Sequence, residues 1–302
     1  MSVDEARRAN NWLNAFAANR NSQTGEDGII EKALEVINDS NCWCVEFGAW
    51  DGRHLSNTYN LIVNRGYSAV LIEGNSTRFR DLQRNFAEND NVVPLNAFVG
   101  FNEHNGLDTL LAATEIPLDF DVLSIDIDGN DYHVWDAMRH YRPKMVVIEY
   151  NPTIPNPVEF VQPRDMRITQ GSSLLSLSKL AKWKGYELVA ATRLNAVFVE
   201  ASYFGLFGIG DNSVDAIRTE QPLVTYVFGG YDGTVFIRGC GKLVWHGIPY
   251  SQARLQHMPR WLRQYPENYG VLKKGLAKVY RRLRNRGLSV RSLIGPSTHK
   301  CT

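Results

Sequence analysis

The chain of 302 residues is 44% hydrophobic and 22% charged, a balance that supports one large or two smaller packed cores and excludes a disordered polymer. A formal net charge of +1 excludes an overall electrostatic signature for nucleic-acid binding, so any basic surface must be local. Four scattered cysteines (Cys42, Cys44, Cys240, Cys301) exclude a disulfide framework, and C-x-C without a second pair is a poor zinc signature.

Cys42 and Cys44 read instead as the start of a buried strand. Residues 1–20 include Asp4, Glu5, Arg7 and Arg8 but no continuous apolar stretch. No later segment approaches a membrane span, so a cytoplasmic protein is expected.

In chain order, residues 24–38 place Ile29, Ile30, Ala33, Leu34 and Ile37 at helical spacing behind Glu26 and Asp27, acids that favour a helix N-terminus. The pattern then predicts strand 43–47, a helix near 56–65, strand 69–73, a helix near 76–88, strands 92–98 and 121–127, a helix near 132–140 and strand 144–150. Strands alternating with helices specify a parallel sheet covered on both faces. Prolines 152, 155 and 157 end the regularity in a loop with functional character. Gly171-Ser172-Ser173 caps a further helix that stops at Gly185, and strands 187–191 and 195–199 are close enough in sequence to be antiparallel.

From residue 201 the texture is aromatic and Gly-rich, with a hairpin over 226–237. Residues 272–286 form a basic amphipathic helix. It could lie on an anionic membrane surface or contact an acidic glycan, or dock on the domain through Leu272, Leu276, Val279 and Leu283. The expected division is 1–200 as the main domain and 201–302 as an appendage packed on it.

Two acid-tipped apolar runs carry the chemistry. Glu46-Phe47-Gly48-Ala49-Trp50-Asp51-Gly52 ends the first, and Glu73-Gly74-Asn75 ends the second. Glycines let backbone approach a ligand closely, Glu46 could hold a cationic amine, and Glu73 stands where an acid accepts bonds from ribose hydroxyls. The glycines are four apart rather than in G-x-G-x-x-G, so an acid-lined pocket suits a sulfonium better than a diphosphate.

Together with Asp126-Ile127-Asp128-Gly129-Asn130-Asp131-Tyr132 and Val147-Ile148-Glu149-Tyr150-Asn151, these segments resemble class I S-adenosylmethionine-dependent methyltransferases, particularly the FkbM-like group, over about residues 22–200. The resemblance implies an α/β fold: a Rossmann-like, doubly wound, mostly parallel seven-stranded sheet with a terminal antiparallel hairpin, here with a C-terminal β-hairpin and helical appendage. It implies S-adenosyl-L-methionine as cofactor, bound by Glu46, Gly48, Asp51, Gly52, Glu73, Gly74, Asn75, Asn96 and Ala97. Asp128-Gly-x-x-Asp131 is also similar to metal-dependent sugar O-methyltransferases of the macrocin and mycinamicin type, although Glu149 and Asn151 stand where an acid pair is usual.

Acids crowded at two adjacent strand ends need compensation. A hard ion such as Mg or Mn held by Asp128, Asp126 and Glu149 would supply it. The alternative is that Asp126 and Asp128 cap the next helix and contact the methionine part of the cofactor. Asp126, Asp131 and His133 are the candidate catalytic acids and bases. Gln23, Glu26 and Asp27 could fold over the cofactor or simply begin a helix. His246 and the aromatic group including Phe207, Tyr226, Phe228 and Tyr231 could build an acceptor pocket or pack a core.

The expected activity is O-methylation of a small-molecule or glycan acceptor, with no nucleic-acid partner. The rivals are a nicotinamide-dependent oxidoreductase and a non-catalytic binding protein retaining the fold.

Overall fold

The computed structural model describes residues 9–285. Asp4, Glu5, Arg7, Arg8, Arg286 and Cys301 lie outside the described residues. The chain divides into two compact units, Met1–Gln221 and Pro222–Thr302.

The first unit is built on a seven-stranded sheet in the order β3-β2-β1-β4-β5-β7-β6. Its strands are β1 Trp43–Phe47, β2 Ser68–Ile72, β3 Val92–Leu95, β4 Val122–Ile125, β5 Met145–Glu149, β6 Tyr186–Ala191 and β7 Asn195–Glu200. The first five are parallel, β7 runs antiparallel to β5, and β6 antiparallel to β7. This is the Rossmann-like sheet with a terminal antiparallel hairpin that the sequence predicts. Val122–Ile125 is buried throughout and Met145–Ile148 nearly so, the continuous apolar pattern of strands covered on both faces. Strand order reverses between β1 and β4, and ligands of open α/β sheets gather at the carboxyl ends beside such a switch.

Helices α1 Glu26–Ile37, α2 Tyr59–Arg65, α3 Ser76–Asn85, α4 Leu107–Leu111, α5 Asp131–Ala137 and α6 Leu174–Lys184 connect the strands. The Ser173 side chain accepts from Ser176 N, and Gly185 closes α6 at φ 83°, as the caps predict. Helix α2 starts three residues late because residues 56–58 are held by Glu46. Helix α4 was not predicted; its five residues are too short for a periodic signal. Strand β3 ends at Leu95, short of Asn96 and Ala97. Cys44 is fully buried on β1, but Cys42 precedes the strand, is exposed and has φ 60°.

The first unit extends past the expected boundary at residue 200. Short helices α7 Ala201–Phe204 and α8 Val214–Ile217 belong to it, with Phe207 and Ile217 fully buried in its core. Burial of these side chains, invisible in local sequence, is why the texture change at 201 misplaces the boundary.

The second unit contains hairpins β8 Thr225–Gly229 with β9 Val235–Gly239, and β10 Lys242–Leu243 with β11 Ile248–Pro249, then α9 Val271–Asn285. Its small core includes Val224, Leu262 and Tyr269. Charge is divided unevenly: residues 1–221 contain 19 Lys and Arg against 30 Asp and Glu, whereas residues 222–302 contain 14 against 2.

Candidate functional site

The β1 turn presses against the end of β4. A Cβ at Gly48 would lie 1.8 Å from the Asp126 carbonyl oxygen, and Gly48 adopts φ 74°, so glycine is required on both counts. Glu46 does not reach outward. Its buried carboxylate accepts from Ser56 Oγ, from Asn57 N at 2.9 Å and from Thr58 Oγ1 at 2.7 Å. Burial pushes its pKa up even against these bonds. The expected amine-binding acid therefore brackets the entry to α2.

Glu73 ties the next turn together: its carboxylate accepts from Trp50 N at 2.9 Å and Asn75 N at 2.6 Å. Asn96 Nδ2 donates to the Glu73 carbonyl at 2.7 Å, and the Asn75 side chain caps α3. Asp51 Oδ1 accepts from Arg53 N and His54 N, shaping the same turn. Gly74 lies under the Phe98 ring, which would be 2.5 Å from a Cβ there, and Gly52 makes room for Phe86 and Leu82. Ala97 is half-buried against the core.

Glu73, Gly74, Asn75, Asn96 and Asp51 thus stand at neighbouring strand tips. Beside them lies an aromatic lip, of which Phe98 is expected from the sequence as an adenine contact and Trp50 is not. Phe98 is 72% exposed, and the Arg78 guanidinium lies 4.0 Å above the exposed Trp50 ring. A single aromatic in a turn has no periodicity to reveal it.

At the tips of β4 and β5, oxygens of Asp126, Asp131 and Glu149 lie within 4.8 Å of one another. Asp128 is not the third member, as expected, but Asp131. With Asp128 at φ 58° and Gly129 at φ 142°, the turn doubles back, leaving Asp128 exposed and Asp131 buried. Asp131 accepts from Ile127 N at 2.9 Å and Gly129 N at 2.8 Å, so one of its roles is to hold that turn.

Among the described residues, the leading influences on these three groups are burial, backbone hydrogen bonds and other acids. Burial, then the charges of Asp131, Asp128 and Glu46, push Asp126 up to about 8. Burial, then Asp126, Asp131 and Asp128, push Glu149 up to about 10. Burial raises Asp131 to about 6 against its backbone hydrogen bonds. Acids this close together titrate jointly, and crowding favours the protonated form most at Asp126 and Glu149. Strand register sets Asn195 opposite Glu149, and Asn195 Oδ1 is buried without a donor among the described residues.

His133 is buried, and its Nε2 lies 2.8 Å from the Gln162 carbonyl, which fixes the proton on that nitrogen. The expected base thus anchors the loop over 152–173. Gln162 holds that loop from within, accepting from Gln170 N and Gly171 N and donating to the Ile168 carbonyl. Asn151 is likewise committed, donating to the Gln170 carbonyl. Arg164 donates to the Phe101 carbonyl, linking the loop to the segment after β3.

On the N-terminal side, Glu26 is buried among Thr24, Thr192 and Asn195. Burial opposes its charge, but these hydrogen bonds outweigh burial and lower its pKa. Asp27 Oδ2 accepts from three successive amides, Arg20 N, Asn21 N and Ser22 N, while its buried Oδ1 has no partner among the described residues. Asp27 is close enough to help raise the Glu46 pKa. His246, Tyr226, Phe228 and Tyr231 belong to the second unit and are not buried.

Fold and site define an α/β protein with two groups of acids at strand tips flanking its topological switch. No protein-family model matches the chain and no curated protein matches its sequence. Among solved structures, the N-terminal domain of EvdMO1, in the presence of SAH and D-fucose, aligns at TM-score 0.38 with 14% identity over 66% of this chain and 97% of that one. The glycopeptide N-methyltransferase MtfA complexed with S-adenosyl-L-methionine aligns at 0.33 with 11% identity, over 56% and 85%. Precorrin-6y C5,15-methyltransferase from Geobacter metallireducens aligns at 0.37 with 14% identity, over 61% and 92%. Likenesses this distant assign no activity; strand order and register carry the fold class.

Proposed function

We propose that this chain is an S-adenosylmethionine-dependent methyltransferase acting on a hydroxyl of a carbohydrate or related polyhydroxylated molecule. The observation that carries it is the pairing, on either side of the switch point, of a Glu73-centred turn at the tip of β2 with a carboxylate trio at the tips of β4 and β5. Glu73 keeps lone pairs beyond those given to Trp50 and Asn75, and these suit a ribose diol. The lip of Trp50 and Phe98 offers flat apolar surface to a purine. Asp27 Oδ1, buried and without a donor among the described residues, suits the ammonium of an amino-acid tail and takes the role first expected of Glu46.

When bound, the sulfonium supplies an electrophilic methyl group. Asp126, with a pKa near 8, is suited to accept the acceptor hydroxyl's proton, since a base tuned near the working pH balances availability against strength. Asp131 orients the turn that carries it. An all-oxygen trio that forms no ion pair among the described residues also fits a hard divalent ion, with Asp126, Asp131 and Glu149 as its ligands. Such an ion supplies charge neutralisation and polarises acceptor hydroxyls.

Calorimetry with S-adenosylhomocysteine and with NADH tests the cofactor: tight binding of the first alone is expected. Dinucleotide binding without S-adenosylhomocysteine binding overturns the reading in favour of an oxidoreductase. Methyl transfer across sugar nucleotides, lipid-linked glycans and small phenols, with and without Mg or Mn, then identifies the acceptor class. Cofactor binding with no transfer to any hydroxyl acceptor sinks the O-methylation proposal.

A further inference from the structure

We infer that the second unit is a docking module for anionic phospholipid bilayers, seated through one face of α9. Leu272, Leu276 and Val279 recur at helical spacing and are 80%, 45% and 54% exposed, with Leu283 half-buried, so most of this stripe is uncovered. Helix contacts run through its other side: Lys273 Nζ bonds Gln264 Oε1 and Tyr280 Oη donates to the His257 carbonyl. Every charged residue of Val271–Asn285 is Lys or Arg. An aliphatic stripe flanked only by cations matches a helix lying in a bilayer interface, with its basic side chains reaching the headgroups.

One further observation points the same way. Trp261 and Tyr265, just before α9, are about half exposed, at 54% and 46%, and such rings favour the headgroup level. Two copies of so cationic a unit repel one another, which disfavours self-association through this face. Aliphatic side chains do not stack on bases, which disfavours single-stranded nucleic acid.

The full chain should sediment with phosphatidylcholine vesicles containing phosphatidylglycerol, but not with phosphatidylcholine alone, and should release at high salt. The double variant Leu272→Asp/Leu276→Asp should lose binding. The triple variant Lys274→Glu/Lys278→Glu/Arg281→Glu should lower it at least ~10-fold, because each basic residue near an anionic leaflet contributes about 1 kcal/mol. Circular dichroism and unchanged activity on a soluble acceptor show that the variants are folded. The inference is overturned by equal binding to neutral vesicles, by wild-type binding of the Leu272→Asp/Leu276→Asp protein, or by binding of single-stranded oligonucleotide with none to vesicles.

Discussion

Strand β4 is flanked by two acids, the buried Asp121 before it and the half-buried Asp126 after it, and the two are treated in opposite ways. At the amino end Asp121 meets Lys144 at 2.9 Å, both almost fully buried, and accepts from Asn41 N, Cys42 N and Ser40 Oγ. At the carboxyl end Asp126 faces Asp131 and Glu149, and none of the three forms an ion pair among the described residues. The amino end is a closed electrostatic account, whereas the carboxyl end holds an unresolved charge conflict that a ligand, ion or proton must settle. Strongly perturbed acids in a crevice, where satisfied acids lie elsewhere, mark a functional site on physical grounds.

The contrast breaks most sharply under substitution. Asp121→Ala should cost about 3 kcal/mol of folding stability, because it leaves the buried Lys144 ammonium with only the exposed Asp39 carboxylate at 3.5 Å. Chemical denaturation measures it, and a loss below 1 kcal/mol would show that water reaches that end. Asp126→Asn should do the reverse: turnover falls about 10²–10⁴-fold while the chain still folds. Its stability at pH 8 should rise by about 1 kcal/mol, a figure that allows for partial solvent screening. Destabilisation by Asp126→Asn would remove the distinction between the two ends.

Smaller effects sharpen the comparison. If the trio holds a divalent ion, Mg or Mn at a hundred times its dissociation constant stabilises the protein by about 2.7 kcal/mol. Asp126→Asn/Glu149→Gln should abolish that gain, and Asp121→Asn should not. A gain that survives the double substitution moves the ion elsewhere.

With chelator present, pH gives the subtlest readout. Unfolded carboxyls lose their protons near pH 4, whereas folded Asp126 and Glu149 keep theirs to about 8 and about 10. The folded state therefore binds more protons over that interval, so stability is greatest at its acidic end and falls as pH rises. The slope approaches about 1.4 kcal/mol per pH unit for each proton retained. A melting temperature that climbs between pH 6 and 9 would contradict the raised values, and Glu149→Gln should flatten the decline.

Much of this contrast was legible in the chain. Apolar runs at 43–47, 69–72 and 145–148 declare strands buried on both faces, and the short link between 191 and 195 declares the antiparallel hairpin. Acids at strand ends mark the crevice because the fold places them there. Their partners were harder to read. Glu46 was expected to meet a ligand but meets Ser56, Asn57 and Thr58, ten or more residues on. His133 was expected to be an open base and is bonded to the carbonyl of Gln162. Asp128 and Asp131 exchange places in the metal set because two positive-φ residues reverse the turn between them.

Local sequence thus determined the strands, the helices with strong caps and the end of the sheet at which chemistry belongs. Periodicity and capping act within a few residues of chain. Only the tertiary structure decided which carboxylates are satisfied, because saturation depends on donors brought from other elements. It likewise decided that most of the α9 stripe is uncovered, since amphipathic spacing defines an apolar face without saying what covers it.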